Sequence, residues 1–172
     1  MRLNSSLKIQ LLNGNKHLDP HADLIHKHID AFVTNSRMLR YKSFHKIPVF
    51  IDWNIGNFSV NDNFSLCSRW DFDWFRVDTR MLDFYFLARV CSSVGDRTEF
   101  SYGYDILKEE RFLHFLRSYH QVFPLTTNEL IFMKEGYRFF LLNYVLLEGQ
   151  RFFHEAYGTK LQDEAIKYLE KL

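Results

Sequence analysis

The chain has 172 residues, which favours a single domain, and a formal net charge of +1 from 22 basic and 21 acidic side chains. That balance gives no electrostatic footprint for nucleic acid or for an anionic membrane, so we expect neither as a partner. Hydrophobic residues make up 47% of the chain and aromatic residues 17%, which argues against disorder. No run of about 18 apolar residues occurs, so no membrane-spanning helix is expected. Two cysteines and no predicted signal peptide favour a reduced, cytoplasmic protein.

The first elements follow from hydrophobic periodicity. Alternation over residues 7–11 predicts a short strand. Helical spacing of apolar residues predicts a helix over residues 20–38, with Asp19 as its N-cap and Pro20 at its first position. The short apolar run at residues 47–51 predicts a buried strand.

A β-hairpin is predicted next. The polar, glycine-containing segment 52–57 predicts a loop, and residues 58–60 and 64–70 alternate on either side of a turn signal at 61–63. The acidic and aromatic segment that follows, residues 71–78, predicts a second loop. Two loops therefore flank the hairpin.

The second half of the chain predicts helices. Asp78 or Thr79 caps the first of them, Pro124 breaks another, and Thr126 or Thr127 with Glu129 forms a partial capping box for the next. The predicted helices span about residues 79–91, 105–122, 126–149 and 159–172. This order predicts one α+β domain over residues 1–172 that is mainly helical.

Three polar residues follow the predicted strands. Asp52 comes directly after the strand at 47–51, Asn57 lies five residues later, and Asp71 follows the second arm of the hairpin. Phosphoryl transfer needs a carboxylate that orients and deprotonates the attacking hydroxyl, and oxygen ligands for the Mg²⁺ that bridges the phosphates. The D-x-x-x-x-N spacing followed by a second Asp is that of kinase catalytic and metal loops.

The same region resembles a known family. Residues 51–60, IDWNIGNFSV, are similar to the H-G-D-x-H-P-G-N loop of the aminoglycoside phosphotransferase and choline kinase-like family, and Trp70-Asp71-Phe72 to its I-D-[WF] metal loop. Asp83 lies twelve residues beyond Asp71, where that family has the Asp of its D-L-A helix. The resemblance implies the C-terminal lobe of a protein-kinase-like fold, whose small antiparallel hairpin carries the catalytic and metal loops.

The resemblance also implies a role for each matching residue. Asp52 would orient or deprotonate the acceptor hydroxyl, with Asn54 beside it in the catalytic set. Asn57 and Asp71 would bind Mg²⁺. Asp83 would be structural and would accept hydrogen bonds from backbone amides of the catalytic loop.

Several positions depart from the family pattern. Phe50, Ile51, Asn54 and Ile55 stand where the family has His, Gly, His and Pro. Losing the first His removes a brace of the loop and leaves the chemistry in place, and Asn54 can still donate hydrogen bonds. Only 51 residues precede Asp52, and no Gly-rich phosphate loop occurs among them. We therefore expect that the N-terminal nucleotide lobe is missing and that such a lobe, or a partner chain, completes the site.

The resulting functional prediction is the catalytic lobe of a small-molecule hydroxyl kinase that uses ATP and Mg²⁺ and is incomplete on its own. The alternative is a non-catalytic helical scaffold or interaction module derived from such a lobe. Asp71-Phe72-Asp73 also matches the D-x-D motif of nucleotide-sugar glycosyltransferases, but residues 1–50 are too few for the nucleotide domain that should precede it. His21, His26 and His28 lack the i, i+4 spacing of a helical metal site.

Overall fold

A computed structural model of the chain describes residues 15–93 and 103–172. These residues form two compact units. The helical unit comprises residues 15–42, 103 and 134–172, and the mixed unit comprises residues 43–93 and 104–133. The architecture is α+β and mainly helical, as the sequence predicts. The strand predicted at residues 7–11 lies outside the described residues.

The helices overlap the segments that the apolar periodicity predicts, but two of them start later. The helix predicted from residue 79 begins at Phe84, after a 3₁₀ turn that Thr79 caps, and the one predicted from residue 105 begins at Glu110, after the 3₁₀ turn Asp105–Lys108. The helices of the described residues are α1 (Ala22–Met38), α2 (Phe84–Cys91), α3 (Glu110–Val122), α4 (Thr127–Phe139), α5 (Gly149–Phe152) and α6 (Glu155–Glu170). A π-helix, Phe140–Glu148, joins α4 to α5, so the long apolar segment is helical throughout but changes its hydrogen-bond pattern. Within the described residues, none of these helices has the length and apolarity needed to cross a membrane.

The strands form two antiparallel pairs. They are β1 (Lys46–Val49), β2 (Phe58–Val60), β3 (Leu66–Arg69) and β4 (Arg76–Thr79). The pairing of β2 with β3 confirms the predicted hairpin. The loop predicted at residues 71–78 is wrong over its last residues, because β4 begins at Arg76 and pairs with β1. A four-residue strand whose partner lies about 30 positions away in sequence leaves no local periodic signal.

In the helical unit, α1 and α6 bury their apolar faces. The buried side chains of α1 include Ile25, Ile29 and Phe32, and those of α6 include Leu161 and Ile166. Periodic burial of this kind stabilises helices mainly through packing and less through intrinsic propensity. The chain enters α1 through a 3₁₀ turn, Asp19–His21, so Asp19 is the first residue of that turn and not the predicted N-cap.

A buried polar network crosses the helical unit. The Arg138 Nε donates a 3.1 Å hydrogen bond to Nδ1 of His28, and the Arg138 guanidinium pairs with the Glu135 carboxylate. Glu135 in turn accepts a 2.8 Å hydrogen bond from the side chain of Asn35. His28, Glu135 and Arg138 are all buried, so α1 and α4 are joined by paired polar groups inside an otherwise apolar interior.

In the mixed unit, a capping box opens α4. Thr126 Oγ1 accepts from the Glu129 amide at 3.2 Å, and Glu129 Oε2 accepts from the Thr126 amide at 2.9 Å. The same Glu129 carboxylate receives two 2.9 Å hydrogen bonds from the Arg80 guanidinium. This confirms the predicted cap and ties the start of α4 to the 3₁₀ turn Arg80–Leu82.

Candidate active site

Two loops of the mixed unit carry the predicted site residues. The first loop, residues 50–57, joins β1 to β2, and the second loop, residues 70–75, joins β3 to β4. Val49 lies opposite Arg76 in one strand pair, and Phe58 lies opposite Arg69 in the other. Each loop therefore begins and ends at strands that are paired with those of the other loop, which places the two loops side by side.

A backbone hydrogen bond links the loops directly. The Trp70 amide donates to the carbonyl of Asn57 at 3.0 Å. Asn57 is the last residue of the first loop, and Asp71 follows Trp70 in the second. The hairpin register thus brings the two candidate metal ligands, Asn57 and Asp71, to neighbouring positions.

The Asp83 carboxylate braces the first loop. Asp83 is the residue directly before α2, and its side chain makes no hydrogen bond to that helix; its Oδ1 accepts hydrogen bonds from the backbone amides of Phe50 at 3.0 Å and of Ile51 at 2.7 Å. They hold the two residues that immediately precede Asp52.

Burial shifts the protonation of this brace. It raises the pKa of the Asp83 carboxyl from 3.8 to about 6. Hydrogen bonds from the backbone amides of Ile51 and Phe50, together with the positive charge of Arg69, oppose that rise. The brace is therefore mostly ionised at neutral pH and gains its proton in mildly acidic solution.

Local contacts also shape the segment around Asp52. The Asp52 side chain is buried, and its Oδ1 accepts a 3.3 Å hydrogen bond from the Asn54 amide. Asn54 is exposed and caps the 3₁₀ turn Ile55–Asn57 by accepting from the Gly56 amide at 3.0 Å. The Asn57 side chain donates a long, 3.5 Å hydrogen bond to the Asp52 carbonyl. The loop thus brings Asp52, Asn54 and Asn57 together. The side-chain oxygen of Asn54 is already engaged as the hydrogen-bond acceptor of the 3₁₀ turn.

Two residues of these loops have strained backbone. Ile51 has φ 64° and Asp71 has φ 61°. A β-branched residue such as isoleucine rarely occupies the left-handed region, and such conformations cluster at functional sites. Glycine would adopt this conformation without strain.

The two loops carry oxygen donors of the types that bind Mg²⁺. Asp71 is exposed, and within the described residues its carboxylate has no hydrogen-bond partner. Mg²⁺ is commonly held by one or two carboxylates together with waters and substrate phosphates. Asp71 supplies one carboxylate and Asn57 one amide oxygen. No cluster of three or more His, Cys, Asp or Glu side chains suited to a metal occurs in residues 15–93 and 103–172.

Aromatic residues of the two loops pack against one another. The Phe50 ring centroid is 5.4 Å from that of Trp53, 5.6 Å from Phe72 and 5.5 Å from Phe75. The Phe50 ring therefore packs against aromatic rings of both loops.

Arg69, at the end of β3, was missed by sequence reasoning. Its guanidinium lies 4.4 Å from the Phe50 ring centroid and 4.6 Å from that of Trp53, and its Nη2 donates a 2.9 Å hydrogen bond to the Asp52 carbonyl. A basic residue two positions before a predicted metal ligand is the signal that could have drawn attention to it.

A separate cavity of about 410 Å³ lies in the helical unit. It is lined by Phe32, Val33, Ser36, Arg37, Arg40, Tyr41 and Lys42. None of the predicted site residues lines it. The candidate active site is therefore the exposed edge formed by the two loops of the mixed unit, and this cavity is not part of it.

Comparison with known proteins returned no matching family model, no matching curated protein and no matching solved structure.

Proposed function

We propose that the chain carries the catalytic loops of a phosphotransferase that uses ATP and Mg²⁺ to phosphorylate a hydroxyl group of a small molecule. One arrangement carries this proposal. Asp83 fixes the amides before Asp52, while the Trp70 amide fixes the end of the same loop at Asn57. Asp52, Asn57 and Asp71 consequently lie on two adjoining loops that are held by backbone hydrogen bonds.

Each residue has a defined part in this proposal. The Asp52 carboxylate accepts the proton of the acceptor hydroxyl and orients its oxygen. Asp71 and the side-chain oxygen of Asn57 would hold Mg²⁺, which neutralises charge on the phosphates when it is bound. Asn54 positions Asp52 through the amide hydrogen bond that its backbone donates. Asp73, which is also exposed, lies close enough in sequence to assist Asp71.

A nucleotide-binding lobe belongs to this proposal. Phosphotransferases of the kinase type hold the phosphates under a Gly-rich loop and pair a strand Lys with a helix Glu. The two loops described above supply neither. In our proposal those groups come from another segment or from a partner chain.

The alternative function is a helical scaffold or interaction module without catalysis. Two observations favour it: the Asp52 side chain is only 8% exposed, and Phe50, Ile51 and Asn54 replace the family residues around it. A buried base reaches an acceptor hydroxyl only if the loop opens. Nucleotide binding that depends on Asp71 separates the two candidates.

Calorimetric titration with ATP and MgCl₂ tests the proposal. We expect binding that requires magnesium, is abolished by Asp71→Ala and is unchanged by Asp62→Ala, which removes an exposed carboxylate from the turn of the β2–β3 hairpin. The titration is repeated on the full product of the gene. If neither form binds nucleotide in the presence of magnesium, the scaffold function replaces the enzymatic one.

A further inference from the structure

Arg69 is a cation placed among the acidic residues of the candidate site. Its guanidinium lies over two aromatic rings of the first loop, 4.4 Å from the Phe50 centroid and 4.6 Å from the Trp53 centroid, and 6.0 Å from the ring centroid of Phe72 in the second loop. Stacking of a guanidinium on aromatic faces fixes its plane and contributes cation–π stabilisation. The guanidinium therefore contacts both loops at once.

The hydrogen bonds of Arg69 are directed at the loop backbone. Nη2 donates to the Asp52 carbonyl, whereas Nε and Nη1 are buried and have no hydrogen-bond acceptor in the described part of the chain. Buried donors of a charged group are costly unless other interactions compensate. The compensation available here is the π-face of the surrounding rings and the charge of nearby carboxylates.

Three carboxylates act on Arg69. Burial lowers the pKa of the guanidinium below its ordinary value, and the negative charges of Asp52, Asp83 and Asp71 oppose that shift. These three residues include the candidate base, the brace and a candidate metal ligand. Without a cation among them, carboxylates on adjoining loops would repel one another.

We propose that Arg69 is a positioning residue that acts as an internal counter-cation, holding the Asp52 loop against the Asp71 loop in the absence of metal. Its catalytic significance rests on the function proposed above, whereas its electrostatic role does not. Because a fixed positive charge near Asp71 also opposes a second cation, Arg69 weakens metal binding until the phosphates of a nucleotide contribute their own charge.

Two variants separate the charge of Arg69 from its shape. Arg69→Gln retains much of the length and an amide that can donate to the Asp52 carbonyl, but it removes the charge. Arg69→Lys retains the charge and loses the planar fork. Arg117→Met is the control, because it removes an exposed positive charge that pairs with Glu110 on α3.

The measurement is the Mg²⁺ affinity of the nucleotide-free protein, followed through the amide resonance of Asp71. We expect Arg69→Gln to bind Mg²⁺ more tightly, by on the order of tenfold, which is the scale of removing one unit charge several ångströms away. Arg69→Lys and Arg117→Met should resemble the unaltered protein. Equal Mg²⁺ affinity in Arg69→Gln and the unaltered protein would overturn the inference, because a role in packing alone does not depend on charge.

Folding of the variants supplies a second readout. If Arg69→Gln is unfolded without metal, millimolar MgCl₂ should restore its folded spectrum, because the metal replaces the missing cation. A variant that stays unfolded in MgCl₂ while Arg69→Lys folds contradicts the inference. The outcomes are distinct from those for the proposed function. If the protein binds no nucleotide but Arg69→Gln binds Mg²⁺ more tightly, the counter-cation role stands and the enzymatic function is lost. If the protein binds nucleotide but Arg69→Gln leaves the Mg²⁺ affinity unchanged, the enzymatic function stands and the counter-cation role is lost.

Discussion

The Asp83 carboxylate accepts a 2.7 Å hydrogen bond from the backbone amide of Ile51, 32 residues earlier in the chain. Ile51 has φ 64° and a buried side chain, so this amide belongs to a strained residue that has little room to relax. The same carboxylate oxygen holds the Phe50 amide. A single side chain at the start of α2 thus holds the backbone in front of Asp52 in a conformation that isoleucine alone would not favour.

Replacing Asp83 with alanine should therefore destabilise the protein. It leaves the buried amides of Phe50 and Ile51 without an acceptor, at about 1–3 kcal/mol for each group. Asp83→Asn keeps an acceptor oxygen and should cost clearly less. Urea unfolding at pH 7 measures the free energies, and hydrogen exchange at the two amides locates the effect. Equal losses in both variants would show that the charge of Asp83 matters more than its hydrogen bonds.

The pKa of Asp83 predicts a dependence of stability on pH. The carboxyl has a pKa of about 6 in the native state and 3.8 as its ordinary value. Between these values the native state binds a proton that the unfolded chain has released, so the free energy of unfolding falls as the pH rises from about 4 to about 6. A shift of about two pKa units corresponds to roughly 3 kcal/mol. Unfolding curves of Asp83→Asn across this range should lack this contribution, and an unchanged slope would contradict the raised pKa.

For His28 we expect the opposite dependence of stability on pH, over nearly the same pH range. Burial, followed by the charges of Arg138, Lys27 and Lys134, lowers the pKa of His28 from 6.5 to about 4, and a backbone hydrogen bond with Leu169 opposes this. The Nδ1 atom accepts from the Arg138 Nε, so the native ring is neutral, with its proton on Nε2. Between pH 6.5 and 4 the unfolded chain binds a proton that the native state does not, so stability falls as the solution becomes more acidic.

Solvent screening reduces the contribution of His28 to the pH-dependent free energy of unfolding to roughly 2 kcal/mol. Because the Asp83 and His28 contributions oppose each other, the unaltered protein should show a weak pH dependence between pH 4 and pH 6. His28→Gln should expose the decrease in stability with rising pH that Asp83 causes, and Asp83→Asn should expose the increase that His28 causes. Parallel unfolding curves for the two variants would show that one of the two pKa shifts is absent.

Sequence reasoning predicted the elements with local signatures and missed those that depend on distant partners. The helix at Ala22–Met38, the β2–β3 hairpin and the cap at Thr126 each follow from spacing or turn residues within a few positions. Strand β4 has no such signature, because it is short and Val77 faces solvent. The π-helical stretch also has no signature in the sequence, since a continuous apolar run has the same composition in an α-helix and in a π-helix.

The candidate site shows the same division. The spacing of Asp52, Asn57, Asp71 and Asp83 can be read directly from the sequence. Contacts between side chains that are distant in sequence have no comparable signature in the sequence. The stacking of Arg69 on Phe50, the brace across 32 residues and the buried His28–Arg138 hydrogen bond all require the folded chain to bring their partners together.

Phe64 offers a test of backbone strain away from the site. It lies in the turn of the β2–β3 hairpin with φ 59°, and its side chain is 89% exposed. Phe64→Gly should stabilise the protein by about 0.5–1 kcal/mol, because glycine removes a left-handed strain of about 1–2 kcal/mol and adds a smaller cost in unfolded-state entropy. Thermal unfolding measures the gain.

Phe64→Ala is the matched control for that prediction. Alanine removes the same exposed ring but keeps the Cβ that makes a positive φ unfavourable, so its stability should stay within about 0.5 kcal/mol of the unaltered protein. An equal gain from alanine would trace the effect to the exposed ring and would contradict backbone strain as its cause. The turn hydrogen bond from the Phe64 amide to the Asn61 carbonyl, 2.9 Å long, persists in both variants because it involves only the backbone. The difference between glycine and alanine therefore isolates the cost of a positive φ in this hairpin, and it gives a scale for the strain at Ile51, where a buried side chain prevents the same direct measurement.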